Sequence, residues 1–361
     1  MLHILNNPWR MAELDSRNVL ETTKHYPAQF REGMELGLQQ FTPPRNLFFD
    51  KIVILGTGGG SAASAYLLKD YLLDKCNLPI FINHGYKVPK YLDDKTLVMV
   101  VSYSGNTEEI VSAYQSAIPR GCFFVVITTG GKIEQLAGCH DHTIVRIPRG
   151  MAPRAALGYL FVPMLIVLHR LGLVCSDHVV EELEETIGVL EHLSRKYAAE
   201  IPVEQNPAKQ IALKFVNNIP LFYGTETTEA VAWRWKRQFN ENAKTLAFFN
   251  SIPSLHHDEI AGWDVSNPYV RQFSVVFFHD RDDSMEIKKR ICITKELLQG
   301  RAGEIVEVES EGVGKLSRMF SLVYLGDFVS LYVSMLKSVD PSPVKVIDLL
   351  KQKMNEMRQE L

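Results

Sequence analysis

A chain of 361 residues, 46% hydrophobic and 22% charged, can bury a substantial core and is expected to divide into two domains. Its formal net charge of −3 offers no electrostatic footprint for nucleic acid or an anionic membrane, so any anion must be held by local geometry in a pocket. The five cysteines show no paired short spacing and the N-terminus lacks a signal-peptide core, which makes the cytoplasm the expected location.

In chain order, residues 51–55, 79–82, 96–101, 122–128 and 143–147 read as short apolar strands. Helical periodicity at 61–75, 107–117 and 133–137 separates several of them, the alternation of a three-layer parallel sheet. The longest apolar run, 155–168, contains Pro163 and is too short to span a bilayer; a buried helix at a subunit or domain contact is expected there. Residues 177–200, rich in Glu and Leu, end at Ile201-Pro202 and read as a bridge. Beyond it the theme returns at 220–225, followed by a helix, strands at 272–279 and 304–308, and helices at 315–337 and 344–360. The fold class is therefore α/β, with two three-layer subdomains on mainly parallel sheets plus C-terminal helices. The expected divisions are a helical segment at 1–40, a phosphate-binding subdomain at 41–176, a linker at 177–204 and a second subdomain at 205–361.

Two strand-to-helix turns in the first half carry the binding chemistry. Ser102, Ser104 and Thr107 crowd the turn that opens one helix, where unpaired N–H groups and the positive end of the dipole favour a dianion. Capping alone needs only one such hydroxyl. Glu108 and Glu109 suit the first helical turn and are expected to point away from the anion. The loop Gly56-Thr57-Gly58-Gly59-Gly60-Ser61 is not a dinucleotide fingerprint: Ser61 stands where the third glycine belongs, and Asn83 where an acid would hold a ribose. A ligand lying against its bare backbone accounts for both the glycines and the terminal hydroxyl. In the second half Glu226 and Thr227 replace the glycines, so phosphate is expected only in the first.

Candidate acid–base groups lie further on. Glu241 ends a helical stretch containing Trp233, Trp235 and Phe239, whose rings are expected to limit its hydration and raise its proton affinity, although a lone Glu on a helix is usually solvated surface. His256-His257-Asp258-Glu259 brings two imidazoles beside two acids, yet adjacent histidines point apart and no third ligand follows at a familiar spacing, so no metal is expected. Cys139-His140-Asp141-His142 reads as a polar lead-in to a strand.

These motifs, taken in order with Pro153-Arg154-Ala155-Ala156-Leu157-Gly158-Tyr159, Asn240-Glu241-Asn242-Ala243-Lys244 and Asp340-Pro341-Ser342-Pro343-Val344, resemble the sugar isomerase (SIS) domain family and its phosphoglucose/phosphomannose isomerase branch. The resemblance implies that Gly59, Gly60, Ser61, Ser102, Ser104 and Thr107 bind the phosphate of a hexose 6-phosphate. It implies that Glu241 shuttles a proton between C1 and C2, that Arg154 steadies the enediolate, and that His257 opens the ring. Lys351 assists that opening, with Lys353 leaving the register open. Ser254 and Asp258 depart from the family pattern of Glu and Asn. No metal or organic cofactor is implied. The resemblance also implies a homodimer in which His257 crosses to the neighbouring chain, carried by an irregular stretch at 248–255. The rival readings are a non-catalytic sugar-phosphate sensor, an isomerase of another phosphosugar and the isomerase domain of an amidotransferase. Sensors of that kind carry a separate DNA-binding domain, and the amidotransferase carries a glutaminase domain with an N-terminal cysteine.

Overall fold

The computed structural model describes residues 2–264 and 268–359. Four helices open it: α1 (Leu2–Leu5), α2 (Pro8–Leu14), α3 (Val19–Lys24) and α4 (Tyr26–Gln40). Local chemistry starts α2, where the Asn7 side chain accepts the Arg10 amide and Pro8 fills a first-turn position whose N–H has no helical partner anyway.

The alternating half follows, with β1 (Lys51–Leu55), α5 (Ala63–Tyr71), β2 (Ile80–Asn83), β3 (Thr96–Ser102), α6 (Glu108–Ala117), β4 (Phe123–Thr128), α7 (Gly131–Cys139) and β5 (Thr143–Arg146). The strands form one sheet in the order β2-β1-β3-β4-β5, every neighbouring pair parallel. All of β3 is buried, which is why it reads as an unbroken apolar run rather than an alternating one.

Helices α8 (Leu157–Arg170), α9 (Val179–Lys196) and α10 (Pro207–Leu213) lead to β6 (Ile219–Gly224), α11 (Glu229–Glu241), β7 (Phe248–Ser251), β8 (Phe273–His279), α12 (Met285–Leu298) and β9 (Glu304–Glu309). The second sheet runs β7-β6-β8-β9, again all parallel. In both sheets the second strand lies outside the first, and the third and fourth follow on its other side. One topology is thus used twice. Helices α13 (Lys315–Leu336) and α14 (Lys345–Gln359) close the chain.

Two expectations are corrected here. Residues 157–168 of α8 are buried within this one chain, largely against α4, so that helix has no free face to offer a second subunit. Residues 248–251 form the edge strand β7, paired with β6, rather than an irregular arm. Helix α13 is long and apolar enough to cross a membrane, yet its apolar window lies wholly inside the protein, packed by α9, α10 and α11. A Cβ on Gly326 of α13 would overlap the Trp235 indole, which donates to the Leu322 carbonyl at 2.9 Å; this close approach fixes α11 against the core.

At the junction, Arg234 of α11 and Asp327 of α13 form a fully buried ion pair at 2.7 Å, joined by the Tyr26 hydroxyl, which donates to Asp327 at 2.6 Å. Every charged atom of the pair that is taken from water meets a partner, the condition under which such a pair is tolerated. It locks α4, α11 and α13 together directly behind the ends of the first sheet.

Candidate active site

Beyond the carboxyl end of β1 the chain turns through Gly58–Ala62 in a wide helical turn. Side chains are excluded there on two sides: a Cβ on Gly59 would overlap the Glu241 carboxylate, and one on Gly60 would overlap the Pro153 carbonyl. Three distant segments therefore converge on bare backbone. Ser61 is buried in the same turn, and Arg234 donates to the Gly59 carbonyl at 3.2 Å from behind.

The neighbouring turn, after β3, is held by its own polar groups. Gly105, at φ +64°, lies so close to the Gly130 carbonyl that no side chain would fit. Asn106 donates from its amide to Ser104 Oγ at 3.3 Å and from its side chain to the Ser104 carbonyl at 3.1 Å, while its Oδ1 accepts the Lys132 amide at 3.0 Å. Thr107 precedes α6 without capping it, and its hydroxyl meets Ser102 Oγ at 3.2 Å. The Ser102 and Thr107 hydroxyls and the first amides of α6 thus lie together at the carboxyl end of β3.

Arg154 is 3% exposed and held on three sides. Its Nε donates to Asn242 Oδ1 at 2.6 Å and its Nη2 to the carbonyls of Pro341 and Ser342 at 2.7 and 3.2 Å. The remaining Nη1 stands 3.7 Å from Glu241 Oε2. Burial lowers the proton affinity of Arg154, and the Glu241 charge opposes that shift. Lys244 donates to the Glu241 and Pro341 carbonyls, and burial followed by the Arg154 charge pushes it down to about 8. The aromatic neighbours of Glu241 in sequence, Trp235 and Phe239, pack on Phe222 in the core, so the carboxylate is bordered by glycine backbone and a guanidinium instead.

Residues 204–354 match the model of the bacterial phospho-glucose isomerase C-terminal SIS domain. A bifunctional phosphoglucose/phosphomannose isomerase of Caldicellulosiruptor bescii is 42% identical over 94% of this chain and 100% of its own. The chain belongs to the bifunctional phosphoglucose/phosphomannose isomerase family. A second member, from Aquifex aeolicus, is 35% identical over 84% of this chain and 90% of its own. A solved structure of a hypothetical protein from Thermus thermophilus shares the fold, with a TM-score of 0.71 at 15% identity over 96% of this chain and 93% of that one.

Two residues that the family resemblance singled out stand apart from this cluster. His257 is exposed on the short helix Ser254–His257, and no hydrogen bond joins it to Glu241, Arg154 or the hydroxyl turn among the described residues. Its neighbours anchor that segment to its own sheet. His256 meets Thr294 Oγ1 at 2.7 Å and Arg290 at 3.0 Å, and Glu259 accepts from Asn250 at 2.8 Å and from Tyr223. Lys351 and Lys353 lie on α14, exposed and without a hydrogen bond or ion pair among the described residues. His142 meets the Tyr114 hydroxyl at 2.5 Å and stacks on Phe124, and burial lowers its proton affinity. No group of three His, Cys, Asp or Glu side chains suited to a metal ion occurs among the described residues.

Sequence reasoning missed the supports: Arg234, Asp327, Tyr26, Asn242 and the Pro341 and Ser342 carbonyls. A signal for the last three did exist, because the motif segments around Arg154, Glu241 and Pro341 are the ones that meet.

Proposed function

We propose that this protein interconverts glucose 6-phosphate and mannose 6-phosphate with fructose 6-phosphate. The observation that carries the reading is the Glu241 carboxylate, which lies against Gly59 and 3.7 Å from Arg154 at the sheet edge that also bears the hydroxyl turn. Ser61, Ser102, Ser104 and Thr107, with the backbone at Gly59 and Gly60, hold the 6-phosphate. Glu241 takes the C2 proton of the open aldose, the electron pair moves into a C1–C2 double bond, and the oxygen on C1 becomes an oxyanion. A proton then passes from O2 to O1, the electron pair left on O2 re-forms the carbonyl at C2, and return of the Glu241 proton to C1 gives the ketose. Arg154 offers its one free nitrogen to the charge that develops. The two aldoses differ at C2 and lead to one enediolate when the C2–C3 bond rotates. General acid–base chemistry of this kind requires no metal or organic cofactor.

His257, exposed on its own chain, opens the pyranose ring of a substrate bound to the second copy of a homodimer, with Lys351 of α14 assisting. The two sugar isomerase units span 41–176 and 205–361, preceded by the helical segment 1–40 and joined by 177–204. The protein works in the cytoplasm on a small-molecule substrate, with no nucleic-acid or membrane partner. A coupled assay with each hexose 6-phosphate tests the reading: both are expected to yield fructose 6-phosphate. Tight binding of either sugar without turnover would instead support a non-catalytic sensor. Mixing Glu241→Gln with His257→Ala subunits under verified exchange is expected to restore activity, and no recovery would place both groups in one chain.

A further inference from the structure

Four cations stand near Glu241, and three of them are held by hydrogen bonds to the protein. Arg154 keeps one nitrogen free. Arg234 donates to Asp327, Tyr26, Gly59 and the Arg154 carbonyl, and Lys244 donates to two carbonyls. Arg237 differs. Its guanidinium lies over the Trp233 ring, 4.3 Å from the centroid. Its Nε is buried with no partner, and no hydrogen bond or ion pair joins the side chain to any described residue.

Its direction follows from helix geometry. Residues 234, 237 and 241 are spaced by three and four and share one stripe of α11. At one end of the stripe Arg234 donates to the Gly59 carbonyl, and at the other the Glu241 carboxylate lies against the Gly59 α-carbon. Arg237 lies between them on that stripe, and the glycine turn beside it is uncovered at Gly58, where a Cβ would meet nothing within 4 Å. Tyr66, bonded to His84 at 3.0 Å, and Trp233, packed on Tyr66, border it on the β2 side. A half-buried guanidinium whose Nε is buried and unpaired is costly unless something arriving later accepts its donors. Burial lowers its proton affinity, and the Glu241 charge opposes that shift.

We propose that Arg237 is a substrate-contacting residue, donating to the oxygens on C1 and C2 of the hexose phosphate as the enediolate charge develops and supplementing the single free nitrogen of Arg154. This rests on the isomerase reading. Fixed donors aimed at developing charge are the most effective contribution a site of this kind makes.

The test uses the full-length protein and two non-isomerisable probes. 5-Phospho-D-arabinonate carries a carboxylate in place of the enediolate, whereas sorbitol 6-phosphate carries neutral hydroxyls there. Arg237→Gln is expected to raise the Kd of the arabinonate by about tenfold or more, as loss of a charge-assisted bond does, and that of the sorbitol compound by less than about threefold. The kcat should fall while KM changes little, and Arg237→Lys should recover part of both losses. Should the Gln variant fail to fold, the Lys variant is read alone; its loss of kcat must then exceed its rise in KM, with the arabinonate weakened more than the sorbitol compound. Equal shifts for the two probes, or no shift in either, would overturn the proposal while wild-type turnover left the isomerase reading intact. A wild-type protein that turned over neither hexose 6-phosphate and bound neither probe would overturn both.

Discussion

At the carboxyl edge of the first sheet the glycine turn and the hydroxyl turn stay open, with the Thr107 hydroxyl meeting that of Ser102 and the first amides of α6 uncapped by a side chain. The same edge of the second sheet is closed by carboxylates. Asp283 accepts the Thr225 and Thr227 hydroxyls at 2.8 and 3.1 Å, and Asp280 accepts the Ser310 hydroxyl at 2.8 Å and Arg318 Nε at 2.9 Å. Where one copy of the topology keeps donors ready for an anion, the other supplies the anion from its own chain. A phosphate approaching the second edge would meet fixed negative charge and satisfied donors. Duplicated topology has therefore left one edge for binding and one for holding the fold together, and only side chains distinguish them.

The sharpest way to break this comparison is to disable each edge in turn. Glu241→Gln removes the proton carrier of the first edge and should cost about 100-fold or more in kcat while leaving sugar-phosphate affinity nearly unchanged; retention of a tenth of wild-type turnover would assign the proton transfer elsewhere. Next in size, Ser104→Ala with Thr107→Ala removes two donors to a charged group, each worth about 1.5–3 kcal/mol, and should weaken sorbitol 6-phosphate while sparing sorbitol. Thr225→Ala with Thr227→Ala should do the reverse, lowering the urea midpoint through the unpaired Asp283 carboxylate and leaving the ligand's Kd unmoved. Equal weakening of the ligand by both pairs would erase the distinction between the edges.

The smallest effect concerns the contact between the two halves. Asp70 at the end of α5 accepts the Ala230 amide of α11 at 3.0 Å, and burial pushes its carboxyl up to about 6. A folded value above the unfolded one means that its contribution is full below the ordinary carboxylate range and is lost as pH rises through about 6. The stability difference between wild type and Asp70→Asn, followed by urea unfolding, should shift against the wild type between pH 4 and pH 7. A difference constant across that range would contradict the assignment.

Much of the first sheet was legible because strands buried on both faces are continuous apolar runs; Leu97, Val98, Met99, Val100 and Val101 could scarcely be anything else. Strand β7 was not, because Phe248–Ser251 is a four-residue edge with no buried residue in its pattern. Helix α12 also escaped notice, since only Ile291, Thr294 and Leu298 of its fourteen residues are buried and no clear stripe marks it. Within the site, the glycine and hydroxyl turns were legible as local motifs. The pairing of Arg234 with Asp327 spans 93 positions, and the Arg154 contact with Pro341 spans 187, distances over which local pattern carries no information. The aromatic neighbours of Glu241 misled for a related reason: positions two apart on a helix face different ways, and Phe239 turns to the core while Glu241 turns to the glycines.

Proton transfer by Glu241 at the open edge is open to direct measurement. Fructose 6-phosphate incubated with the protein in deuterium oxide and followed by proton NMR should yield glucose 6-phosphate and mannose 6-phosphate carrying deuterium at C2, with Glu241→Gln giving neither product nor exchange. Product formation or C2 exchange that persisted in Glu241→Gln would contradict it.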